Sequence, residues 1–98
     1  MTPLHIALED GFDGDTVVLL VDGEEVFREA GITTRTQISL AESLELDVRP
    51  GPLRLRIDVP SQGIEQTFEV DAGRHPFVGL SLREGVVQAR LPEQLGHL

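Results

Sequence analysis

Alternation with a period of two constrains this chain more than any other feature. Leu4, Ile6 and Leu8 alternate with His5, Ala7 and Glu9. Leu44, Leu46 and Val48 alternate with Glu45, Asp47 and Arg49, and Leu53, Leu55, Ile57 and Val59 with Arg54, Arg56 and Asp58. The pattern returns around Ile32–Leu40, Ile64–Val70, Val78–Leu82 and Val87–Leu91, while residues 16–21 are apolar on both faces, as in a central strand. A strand sends successive side chains to opposite faces, so each run has one apolar and one wet side. A helix would scatter the same residues around its axis.

Turn chemistry separates the runs. Asp10-Gly11, Asp22-Gly23 and Glu84-Gly85 supply residues that tolerate positive φ, and Arg49-Pro50-Gly51-Pro52 fits a type II turn. Pro60–Gly63 and Asp71–Gly73 close further strands. Turns about every ten residues predict an all-β, antiparallel β-sandwich of seven to nine short strands, Ig-like or prealbumin-like. Only Glu24–Ala30 and Leu40–Leu44 carry a helical suspicion, and both are short. The sandwich is expected over residues 1–91, with a tail over 92–98.

At 98 residues without cysteine, one domain must stand on aliphatic packing, with no disulfide and no thiolate metal site. The faces predict burial of Leu19, Val21, Leu46, Val48, Leu55, Ile57, Phe68, Val70, Leu80 and Leu82. Charge suggests one register. With Pro50-Gly51 as a two-residue loop, Val48 faces Leu53, Leu46 faces Leu55, Asp47 faces Arg54 and Glu45 faces Arg56.

Seventeen acids oppose eight bases, for a net charge of −9. Residues 1–29 hold eight of the acids against Arg28 alone. Such a surface excludes nucleic acid, whose phosphates need clustered cations, and the lack of Trp and Tyr removes a stacking platform. Every base is Arg, and Lys, Asn and Tyr, whose codons are AT-rich, are absent, which points to a GC-rich genome. No run has transmembrane length, so no membrane insertion is expected. Met1–His5 lack the basic start and apolar stretch of a secretory signal, which predicts a cytoplasmic protein or an excised domain.

No catalytic constellation is legible, and the sequence predicts neither an enzyme nor a cofactor. His5, His75 and His97 lie far apart and outside metal spacing. The acidic loop Asp10-Gly11-Phe12-Asp13-Gly14-Asp15 has two readings. It is a solvated turn, or Asp10, Asp13 and Asp15 supply oxygens to a calcium-type ion, helped by Asp22 or Glu24. Phe12 likewise belongs to the core or to a contact surface.

The stretch from Thr16 to Val70 has Val21-Asp22-Gly23 after an apolar strand, then Thr33-Thr34, the turn Arg49-Pro50-Gly51-Pro52 and the run from Leu53 to Val59. It resembles the small bacterial β-sandwich modules of the PEGA type and the transthyretin-like, carboxypeptidase-regulatory-like type. The Pro-Glu-Gly-Ala string of the first family is absent. The resemblance implies a non-catalytic binding or spacer module, with no functional residues to carry over.

Function is therefore expected to be protein–protein interaction or assembly, with a protein partner or a second copy of the chain. A filled core leaves no room for a buried small molecule. Contact is expected through edge strands, through Phe12, Asp13, Asp15, Glu24 and Glu25, and through Leu95 and Leu98 of the tail. A calcium-binding accessory domain using loop 10–15 is the alternative.

Overall fold

The computed structural model describes residues 1–35, 37 and 40–91. Within them, eight strands make two four-stranded sheets packed face to face. The first sheet has the order β4 (Glu42–Val48), β1 (Thr2–Leu8), β7 (Phe77–Arg83), β8 (Val86–Arg90). The second has the order β3 (Glu24–Thr33), β2 (Asp13–Val21), β5 (Pro52–Val59), β6 (Ile64–Asp71). This is the expected β-sandwich. Its pairs are antiparallel except β1 and β7, which run parallel, so the first sheet is mixed.

Hairpins join β2 to β3, β5 to β6 and β7 to β8, and every other connection crosses between the sheets. Two hairpins close on two residues with positive φ, Asp22 (50°) with Gly23 (87°) and Glu84 (53°) with Gly85 (76°). These are the primed turns whose twist matches that of paired strands.

The hairpin expected across Pro50-Gly51 does not form. β4 pairs with β1 and β5 pairs with β2 and β6, so the turn carries the chain from one sheet to the other. Leu46, Val48, Leu53 and Leu55 still face inward, because alternation fixes a face and not a neighbour. The charges find other partners. Arg54 lies opposite Glu69, Arg56 bonds Asp58 at 2.9 Å and pairs with Glu65, and Glu45 lies 3.3 Å from His5.

Glu24–Ala30 is strand, and the run expected over Ile32–Leu40 ends in β3 at Thr33. Beyond it, the described residues form only the isolated bridge Arg35–Leu40. β3 is an edge strand exposed along most of its length, so its core-facing side shows few apolar residues to read.

Leu19, Val48, Leu55, Ile57, Val70, Leu80 and Leu82 are buried as expected, with Leu4, Ile6, Leu8, Val17, Val59 and Val78 among the residues that complete the core. Val21, Leu46 and Phe68 are half-buried against it, because each stands beside or on an edge strand. Phe12 is 3% exposed and belongs to the core. Its backbone is clamped to Thr34, whose Oγ1 accepts the Phe12 N–H at 3.0 Å and whose N–H donates to the Phe12 carbonyl at 2.9 Å.

Candidate interaction surface at the open flank

The acidic loop spends its carboxylates inside the fold. Asp15 is 3% exposed and accepts hydrogen bonds from Asp13 N–H (3.0 Å), Ser61 Oγ (2.7 Å) and Gln62 Nε2 (3.3 Å). Burial pushes its carboxyl pKa up, but the hydrogen bonds outweigh burial and hold it below the ordinary value. Asp10 turns to Arg83 at 3.9 Å, and Asp13 is exposed at the start of β2. The three expected ligands therefore do not converge. Among the described residues no group of three or more His, Cys, Asp or Glu is placed to hold a metal ion.

The sandwich has two lateral flanks, set by its edge strands. Along one flank β6 lies beside β8, and Gln66 reaches across from β6 to the backbone of Val87 in β8. Along the other, β3 and β4 are not joined in this way among the described residues. A groove of about 580 Å³ opens between them, lined by Met1, Val21, Val26, Leu46 and Leu53 together with the charged Asp22, Glu24, Asp47 and Arg49. Val26 is 36% exposed and Met1 83% exposed, so apolar surface at this flank meets solvent.

The same flank concentrates negative charge. β3 and β4 together carry six acids (Glu24, Glu25, Glu29, Glu42, Glu45 and Asp47) and one Arg. Arg28 is held by Glu25 through two hydrogen bonds of 2.9 and 3.0 Å, and Glu45 has His5. Among the described residues Glu24, Glu29, Glu42 and Asp47 form no ion pair within 4 Å, and Arg49, which lines the same groove, lies 3.5 Å from Asp22.

The outer face of the first sheet is different. Glu9 lies over Gly79 and meets Arg90 at 2.6 Å, and the Arg90 guanidinium sits 5.4 Å from the centre of the Phe77 ring. Glu9 and Arg90 are matched locally, and a second groove, beside His5, Ala7, Ser43, Glu45 and Phe77, opens on this face.

Of the expected contact residues, Glu24 rims the open groove, while Glu25 is tied to Arg28. Phe12 and Asp15 are buried and so offer no contact surface, which corrects the expectation for both. Asp13 pairs with Thr33 at the end of the β2–β3 ladder away from Val21 and the groove. Leu95 and Leu98 lie outside the described residues. Reading the sequence missed Val26, Glu29, Leu46 and Asp47 as surface groups. The signal available was the density of acids on either side of two apolar runs.

Among the described residues no helix is long and apolar enough to cross a membrane. Comparison with known protein families, with curated proteins and with solved structures found no match.

Proposed function

We propose that this chain is a non-catalytic protein-interaction module whose contact surface is the open flank between β3 and β4. One observation carries the reading. A groove with exposed Val26 and Met1, and the carboxylates of Glu24 and Asp47 that form no ion pair within 4 Å, coincide on the flank between the two edge strands. Apolar contact supplies affinity, and the acids steer and orient a basic partner surface. The resemblance to small bacterial sandwich modules of the binding or spacer kind agrees with it. The calcium-binding alternative gains no support from Asp15, whose oxygens are occupied by Ser61, Gln62 and the Asp13 N–H.

A photo-activatable cross-linker tests the reading. Placed at Val26 on the open flank, it should give adducts with a partner protein, and the triple reversal Glu24→Arg, Glu29→Arg, Asp47→Arg should abolish them. Placed at Thr67 on β6 it should not. Equal adducts from both flanks, or adducts indifferent to the reversal, would overturn the proposal.

A further inference from the structure

We infer that β4 is the strand onto which the partner is added, and that the added segment is extended and alternates Arg or Lys with aliphatic residues. The inference rests on the open-flank reading and names the ligand of that surface.

The backbone directions of β4 follow from those of β1. His5 N–H donates to the Pro76 carbonyl and Glu9 N–H to the Leu80 carbonyl, so odd-numbered residues of β1 turn their backbone toward β7. Thr2, Leu4, Ile6 and Leu8 must then turn theirs toward β4, where they face Val48, Leu46, Leu44 and Glu42. Directions alternate along a strand. Ser43, Glu45 and Asp47 therefore turn N–H and C=O away from β1. Among the described residues no strand lies on that side. These three residues form a template for strand addition.

The side chains define the guest. Leu44, Leu46 and Val48 face the inside of the sandwich, so Ser43, Glu45 and Asp47 stand on the outer face. Guest residues opposite them meet the carboxylates of Asp47 and of Glu45, which also has His5 at 3.3 Å, and favour cations. The alternate guest residues lie opposite Leu44 and Leu46, of which Leu46 lines the groove with Met1 and Val26, and favour aliphatic side chains.

The other edges are less suited. β3 carries three register irregularities, and its only Arg is committed to Glu25. On β6, Glu65 pairs with Arg56 and Glu69 lies opposite Arg54. On β8, Gln66 already occupies the free backbone groups of Val87. A second copy is disfavoured, since antiparallel β4 against β4 sets acids opposite acids. The chain's own residues 92–98 contain Glu93 and no Lys or Arg.

The test uses the full chain and three synthetic nonapeptides. One alternates arginine with valine, one has the same composition with the arginines in a block, and one alternates glutamate with valine. The alternating arginine peptide should bind and slow amide exchange at Ser43, Glu45 and Asp47, and the other two should not. Ser43→Pro removes an outward N–H without breaking the β1–β4 ladder or changing charge. It should weaken binding by about tenfold or more, the scale of one lost hydrogen bond, as should Asp47→Arg. Thr67→Pro on β6 should leave binding unchanged. Equal binding of the block peptide, no binding of the alternating one, or protection on β3 or β6 would overturn this inference. The open-flank reading would then still stand or fall on its cross-linking result. If Ser43→Pro fails to fold, the wild-type peptide series and Asp47→Arg decide.

Discussion

The side-chain amide of Gln66 pairs with the backbone of Val87 in both directions. Nε2 donates to the Val87 carbonyl at 3.0 Å, and Oε1 accepts the Val87 N–H at 2.7 Å. An amide side chain thus stands in for one residue of a strand, closing the edge of β8 from the opposite sheet. Edges left bare invite pairing with other chains. Here one flank is stapled, and the other is left to the groove and its acids.

Removing the staple should be felt locally and globally. Gln66→Ala leaves a part-buried N–H and C=O without partners, which costs about 1–3 kcal/mol. Urea denaturation should show the loss, and hydrogen exchange should show the Val87 amide opening faster than the rest of β8.

Two glycines should respond very differently. Gly11 has φ 95°, and a Cβ there would run into the Leu82 carbonyl oxygen, which is backbone and cannot step aside. Gly14 has φ 69° with nothing within 4 Å of its would-be Cβ. Gly14→Ala should cost about 1–2 kcal/mol, the ordinary left-handed penalty. Gly11→Ala should cost more, with about 3 kcal/mol expected from strain and displacement together. Equal denaturation midpoints would contradict this placement of Gly11 against β7.

Asp15 should shape the acid limb of stability. Its folded pKa lies below the ordinary 3.8, so its carboxylate stabilises the fold fully above that value. The contribution is lost as pH falls through the lowered folded value. Carbon-detected NMR titration should place the Asp15 midpoint below 3.8. Asp15→Asn should lower stability at neutral pH by about 1–3 kcal/mol, because an amide cannot accept all three hydrogen bonds. It should also flatten the stability curve below that pH. A midpoint above the ordinary value would mean that burial wins over the Ser61, Gln62 and Asp13 donors.

Core and flank should separate under truncation. Leu55 and Ile57 are fully buried, and Leu55→Ala or Ile57→Ala should each cost roughly 2–5 kcal/mol. Leu46 is half-buried beside the groove, so Leu46→Ala should cost less than either, which thermal denaturation of the three variants can rank.

Association with a basic partner should slow as salt rises over the range where the Debye length falls from about 10 to 3 Å. Reversing Glu24, Glu29 and Asp47 to Arg should slow it too, in stopped-flow measurements at low salt. Asp13→Arg lies at the far end of the β2–β3 ladder and should change the rate less.

Sequence alone determined that the chain is a sandwich of short strands, because alternation and positive-φ turns are local properties. Leu55 and Ile57 point inward in any sheet that buries one face, and Asp22-Gly23 turns a hairpin whatever it joins. Partner choice between strands was decided only by tertiary structure. The charges of β4 and β5 suggested that they pair, yet each strand satisfies its faces equally well in opposite sheets. β3 stayed hidden because an edge strand has little core to declare. The contact surface was obscured for the same reason: Phe12 and Asp15 sit among acids in sequence but are folded inward, while Val26, Leu46 and Asp47 meet only through the gap between two sheets. A side chain's face depends on its own strand, whereas the width of a flank depends on strands far apart in the chain.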